Sequence, residues 1–595
     1  MPVPSTQLLS DVVLFQNLFQ DAATFCTPYF DAAIAYYNLF RGKRPWQLDA
    51  TSSQVMVNKA FAMIEDRLPK LKKNVFAGED FVSLEAQTPL DEVGVDDAQA
   101  WLRALLKDED KINILYDIDS TFLSALVCGT GYRMPFARKN KQGKWYVGSR
   151  NIDYFQILPA PVGGKINPQD PDDDDALPYF FHVDWMDDDQ LKALSKFEGF
   201  QKDEAEKLFK TAVQNEAHIG YEYEEKFRVI GGVSYGDRKN DWRSQFISAT
   251  GGKEKGCKRR VVHWHSRIDN CWRIIVQDNF MIFKGPLPLG DKMLSLSKYS
   301  ITNDFDNWMG IGAIEMVQDI IVAYLLNRNY RLDHIGRVMF PAKWIREQMF
   351  AGHSDSDFYD KPYSIYHVPA SLQNVRLQDL FYYDRAPEVS PQTFMEDREF
   401  VELMEVIGGS PDMAKNMTGS NTASSTATGA LSFINQVSGR IDAESMLLEF
   451  GGLCQEARQL LILGDKYIND EEFVRDARSP NGMGWRKIDS AYLGDKYVVR
   501  SNGTKSSADQ AQKFQRLMSL YPLWNASPLI DQVALNTELA ESAGISNLKE
   551  IISPPSLENQ SGAPMGAPVE QGGLAAPQNL QNRNRSVQKG VNQPL

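Results

Sequence analysis

The stretch WMGIGAIEMVQDIIVAYLLNRNYRLDHIGR, Trp308 to Arg337, decides how the rest of the chain is read. It opens on the pattern W-x-G-x-G, with Trp308, Gly310 and Gly312. Glycine there lets the backbone turn tightly or pack closely. A long helix is then expected from about Ile311 to Gly336. Its apolar run IIVAYLL, 320–326, lies between Asp319 and Asn327–Arg328 and is too short to span a bilayer. The C-terminal half is polar. Arg328 and Arg331 stand three residues apart on one side of the helix, with His334 at the next step. In a single chain, such charges read equally as a solvent face or as a feeble phosphate contact. A helix N-terminus can hold phosphate, but no Lys-Ser/Thr follows the glycines, so the pattern is not a P-loop.

Downstream, residues 337–390 are mixed and aromatic, broken into short strands and turns by Pro341, Pro362 and Pro369. A helix is expected at 391–407, with Pro391 suited to its first turn. The run GGSPDMAKNMTGSNTASSTATG, 408–429, is too polar for a core and lies deep inside the chain. A long helix follows from Ala430, its apolar face formed by Leu431, Ile434, Val437, Ile441 and Leu448. Another helix is expected at 452–468, strands at 483–500, and helices at 506–521 and about 529–543. From Pro554 the Pro, Gly, Gln and Asn content predicts a disordered tail.

Upstream, helical spacing covers 7–40, 52–72 and, as two helices, 94–127. Two strand-like runs flank the turn KNKQGK, 139–144, which is a hairpin signal. DPDDDDALP, 170–178, lacks the Gly and the distant Glu of an EF-hand and reads as a solvated loop. PYFFHVDWM predicts a strand, 188–217 a pair of helices, 231–256 a polar insertion, and 258–284 further strands.

Composition limits the function. The chain has 595 residues, enough for roughly three or four domain-sized units. With 43% hydrophobic residues the bulk is folded. A formal charge of −14 excludes a protein that clings to nucleic acid over its whole surface. Five widely spaced cysteines (26, 128, 257, 271 and 454) with no C-x-x-C read as reduced thiols of a cytosolic protein. The N-terminus lacks the basic region of a signal peptide.

Enzymatic signatures are weak. Neither H-E-x-x-H nor G-x-S-x-G occurs. The best candidate is Cys257, His263, His265 and Cys271, in which two histidines two apart share one strand face. Two His and two Cys are a zinc-capable set, but the spacing matches no finger or ribbon, and a plain alternating strand explains it as well.

The order of elements resembles the portal proteins of tailed bacteriophages: a W-x-G-x-G segment, a long helix with a polar half, a mixed segment, a second helix, a Gly/Ser/Thr run and a long helix. SRNIDYFQILPAP, 149–161, also looks like a portal wing segment, and NGTKSSADQAQKFQRLMSLY, 502–521, like the approach to a portal crown. The resemblance covers roughly residues 50 to 545. It implies an α+β ring subunit without catalysis, cofactor or metal. Its parts would be an N-terminal region and α/β wing (1–310), stem helices (311–336 and 391–407) around a small α/β clip (337–390), and a tunnel loop (408–429). A wing helix with strands (430–504), a helical crown (505–553) and the tail (554–595) would complete it.

The implied partners are about eleven further copies of the chain, double-stranded DNA passing through the ring, the terminase large subunit, head–tail adaptor or tail proteins, and major capsid and scaffold proteins, with no membrane. The implied location is a capsid vertex of the virion, with assembly in host cytoplasm. Lys415, Asn416, Thr418, Ser420 and Asn421 of the loop, with Arg328 and Arg331 of the stem, would face DNA. Asp355, Asp357, Tyr359 and Asp360 would meet terminase and adaptor on the clip. Another ring-forming head–tail adaptor and a metal-dependent enzyme are the competing readings. Around a ring, each cation becomes a belt, while an acidic remainder keeps the conduit from gripping phosphate.

Overall fold

The computed structural model describes residues 5–50, 52–76, 81–108, 111–139, 143–168, 173, 175–186, 188–211, 259–304, 307–339, 343–345, 376, 381–383, 390–408, 439–468, 472–475, 485–501, 517 and 521. The chain divides into two units, Met1–Asp509 and Gln510–Leu595. Only two residues of the second, Leu517 and Tyr521, are described, and both are helical.

The first helix, α1 (Ser5–Phe40), buries Phe15, Phe19, Ala22, Cys26, Phe30 and Ala33, a three-and-four spacing that makes one apolar stripe. Then come α2 (Lys59–Val75), β1 (Val82–Ala86), α3 (Val95–Lys107) and α4 (Ile114–Cys128). The hairpin β2 (Thr130–Lys139) and β3 (Trp145–Ile152) follows, as its turn residues predict. Next are β4 (Ile157–Pro159), β5 (Tyr179–Met186), α5 (Asp188–Ala193), α6 (Lys202–Lys210), β6 (Arg259–Ser266), β7 (Cys271–Val276), β8 (Phe280–Pro286) and β9 (Ser297–Ser300).

The strands β4-β5-β6-β7-β8 form one antiparallel sheet in sequence order. Phe15 and Phe19 of α1 meet Phe181 edge-on at 5.6 and 5.3 Å on one face. Leu191 of α5 and Leu208 of α6 cover Val261, Ile274 and Val276 on the other. Burial on both faces explains why PYFFHVDWM is almost continuously apolar rather than alternating.

A second sheet, β3-β2-β9, carries the W-x-G-x-G segment. Trp308 is 1% exposed and donates from Nε1 to the Tyr132 hydroxyl at 2.8 Å. The Gly310 N–H donates to Thr130 Oγ1 at 2.9 Å, and the Ala313 N–H to the Leu126 carbonyl at 2.8 Å. Gly129 ends α4 at φ +86, and a methyl group there would collide with the Gly310 carbonyl. The glycines are therefore a backbone-on-backbone lock between α4 and residues 310–312. This lock occupies the chain where a helix was expected. A 3-10 turn (Glu315–Val317) intervenes, and α7 runs from Gln318 to Met339.

Short strands β10 (Lys343–Ile345) and β11 (Phe381–Tyr383) pair antiparallel, and α8 spans Gln392–Gly408, within one residue of expectation. Residues 439–447 are helical (α9) and pass through a π-helical segment, Leu448–Leu453, into α10 (Cys454–Tyr467). The two helices expected at 430–450 and 452–468 thus join. The π segment seats Gly452 against the Tyr299 ring, where a side chain would clash, and lets buried Glu449 accept from Ser501 Oγ at 2.5 Å. Two ribbons finish the described chain: β12 (Glu472–Arg475) with β13 (Trp485–Ile488), and β1 with β14 (Tyr497–Ser501).

Arg133 and Glu456, both fully buried, pair at 3.0 Å where β2 meets α10, and Asp117 of α4 takes a second Arg133 nitrogen at 2.9 Å. Such a pair is fixed in place because losing either partner strands a buried charge. The architecture is α+β, and among the described residues no helix is long and apolar enough to cross a membrane. The polar insertion 231–256, the helix expected at 529–543 and the tail lie outside the described residues.

Candidate functional site

The helices α7 and α8 form an antiparallel hairpin. Three contacts set the direction: Gly408 lies by Val317, Asn327 Nδ2 donates to Asp397 at 3.4 Å, and Arg331 Nη1 donates to the Thr393 carbonyl at 3.1 Å. Only the first part of α7 is core, through Ile321, Tyr324 and Leu325. At 1.5 Å per residue, α7 is about 33 Å long, and its last residues, Arg337, Val338 and Met339, are exposed.

The polar half of α7 has specific work. Asn329, fully buried, accepts from the Val55 N–H at 2.8 Å and donates to the Val55 carbonyl at 3.0 Å, a strand-like pairing made by a side chain. Asp333 accepts from the Ser52 and Ser53 N–H groups at 2.9 and 2.6 Å, and these bonds hold its carboxyl below the usual range against partial desolvation. The segment 52–55 is thereby laid along α7. Sequence reading missed both residues, because their partners stand 274 to 281 positions away.

Arg331 is not a free cation. Its guanidinium pairs with Asp397, lies 4.5 Å over the Phe394 ring and is 10% exposed, so it ties α7 to α8 within the chain. Arg328, half-buried, donates to the Tyr324 hydroxyl at 2.9 Å, one turn back. Of the two expected channel cations, one is thus committed to the hairpin and the other leans on its own helix.

The foot of the hairpin is fixed by Arg67 of α2. Fully buried, Arg67 donates to the Gly408 carbonyl at 2.6 Å and pairs with Glu444 of α9. Arg440 adds a bond to the Val406 carbonyl at 3.4 Å and stands 3.5 Å from Glu444. Cations at the carbonyl end of α8 oppose the helix dipole. One guanidinium therefore touches the last residue of α8, Gly408, and Glu444 of the returning helix. Lys415, Asn416, Thr418, Ser420 and Asn421 fall between, outside the described residues, as do Asp355, Asp357, Tyr359 and Asp360.

The hairpin also exposes large apolar side chains: Met339, Met395 and Val406 are 67%, 70% and 70% exposed, joined by Tyr330, Val338 and Phe394. These side chains are spread along the hairpin, from Val406 at its foot to Met339 at the far end of α7.

The histidines fit the plain strand reading better than the candidate ligand set. His263 and His265 do share a face of β6, and His182 of β5 stands opposite His263. The rings stack: His182 on His263 at 5.4 Å, His265 on Phe180 at 4.6 Å, and Trp272 beside both β6 histidines. Burial lowers His263 to about 4 and holds His182 and His265 well below the ordinary histidine range. Cys271 lies opposite Ser266, and Cys257 is outside the described residues. Among the described residues no three metal-capable side chains converge. The acidic loop is stapled instead to Lys165, which reaches Asp173 at 3.2 Å and Asp175 at 3.1 Å.

No protein-family model and no curated protein matches this chain.

Proposed function

We propose that the chain is the subunit of a phage-type portal ring, a conduit for double-stranded DNA during packaging and ejection. The observation that carries the reading is the α7/α8 hairpin. It is antiparallel, bears exposed apolar side chains, and is joined in sequence by a mixed segment between its helices and followed by a long polar run. That order is the portal order of stem, clip, stem, loop and wing helix. In a ring of about twelve copies the exposed stem residues would be covered by neighbouring stems. The 337–390 segment would meet terminase and later the adaptor, and the polar run 408–429 would touch phosphates through Lys415 and short hydroxyl and amide groups. The virion vertex would be its place of work.

The native mass of the purified protein, with particle images from the same fraction, tests this. A ring of about twelve 67.2 kDa chains, on the order of 800 kDa with a central channel, is the expected outcome. A species that stays monomeric both alone and with its capsid and scaffold proteins would overturn it.

A further inference from the structure

The join of α9 to α10 has a geometry that an unbroken α-helix cannot supply. The buried stripe runs through Ile441, Ser445, Leu448, Leu453, Ala457 and Leu460. Its steps are of three or four residues, as a helical period requires, except for a step of five across the π segment. The backbone shows the same excess, since the Cys454 N–H donates to the Glu449 carbonyl, five residues back. One residue is thus absorbed without advancing the face. This brings two buried carboxylates into line. Glu444 of α9 and Glu456 of α10 stand twelve residues apart. At about 100° per residue they would lie about 120° apart around an unbroken helix, and about 20° apart once one residue is absorbed. Glu444 there meets Arg67, which also holds the Gly408 carbonyl, and Glu456 meets Arg133 of β2. Two contacts seat the π turn itself. Glu449 accepts from Ser501 Oγ of β14, and Gly452 packs against the Tyr299 ring, whose hydroxyl donates to Glu456.

We propose that the π segment is a slip joint that couples this seat to the foot of the α7/α8 hairpin. Relaxing the segment to ordinary α turns, with α10 held by Arg133, rotates α9 by about 100° and shifts it about 1.5 Å along its axis. Glu444 then leaves Arg67, and Arg440 on the same helix carries away its bond to the Val406 carbonyl. The two registers are discrete, because a backbone bond runs to either the fourth or the fifth residue back. The seated register is favoured by the Glu449–Ser501 bond and the Gly452–Tyr299 contact, the relaxed one by a full set of α bonds. Whatever withdraws the Ser501 hydroxyl from Glu449 therefore loosens the hairpin foot without touching it. The joint belongs to one chain and does not rest on the ring reading.

Hydrogen–deuterium exchange of the full-length protein, read peptide by peptide, tests the joint. In the wild type, amides of 448–453 should exchange faster than those of 455–463 in α10. Ser501→Ala removes one hydrogen bond to a carboxylate, so exchange should quicken about ten-fold at 440–447 and at 404–408, with 455–463 unchanged. Deleting Gly451 removes the absorbed residue and fixes the relaxed register. Residues 404–408 should then lose protection, and Arg67→Ala should cost less stability in that background than in the wild type. If the deletion variant does not fold, Ser501→Ala decides alone. An effect of Ser501→Ala confined to 448–453 and 497–501 would overturn the proposal. So would a uniform loss that includes 455–463, or full protection of 404–408 in a folded deletion variant.

Discussion

Arg67 shows how much one side chain decides. It is buried without exposure, and its two contacts lie on two different helices, at Gly408 and Glu444. Arg67→Ala leaves the Glu444 carboxylate buried with only Arg440 beside it, so stability should fall by about 3 kcal/mol or more. Chemical denaturation measures the loss, and an unchanged midpoint would show that the clamp contributes nothing. Arg328 and Arg331 were legible in the sequence as paired cations on a helix. What they bond to was not, because Asp397 lies 66 residues from Arg331 and nothing local marks it as the partner. Asn329 was invisible for the same reason.

Elements were legible where their stabilisation is local. The helix expected at 391–407 is α8, since Pro391 and an apolar periodicity define it without help from elsewhere. The start of α7 was not, because residues 310–313 are claimed by the Leu126 carbonyl of α4 and the Thr130 hydroxyl of β2 some 180 positions earlier. The join of α9 to α10 was hidden by the π segment, which shifts the 3.6-residue period part-way. At this scale the β5/β6 histidine ladder predicts pH behaviour. His263 has a folded value of about 4, below the unfolded value near 6.5. The unfolded chain therefore takes up protons first. The ladder's contribution is whole above pH 6.5 and is lost as pH falls toward 4, by about 3 kcal/mol for His263 alone. Arg150 beside the rings opposes their protonation further, and Asp184 partly offsets it at His263. His263→Phe should flatten the stability profile between pH 6.5 and 4, read by urea denaturation at each pH. An unaltered slope would count against the ladder as the titrating element.

For the whole molecule, the α+β class and the acidic balance followed from composition and pattern, while the proposed ring would be a property of many copies. The proposed conduit makes one demand on the polar run. Replacing Lys415 and deleting 415–426 should leave rings of normal mass but lower the yield or retention of packaged DNA. DNA-filled heads in normal number would count heavily against a role for that run.

The foot of the α7/α8 hairpin has an evolutionary consequence. Arg67 pins Gly408 and Glu444 side by side, so a change in the length of chain between them leaves this clamp intact. Closing a chain excursion of twice the length costs only about 0.6 kcal/mol more. Insertions and deletions between Gly408 and Gly439 should accumulate across related sequences while the residues of the clamp stay constant, so the run proposed to touch DNA can diversify without altering the scaffold on either side.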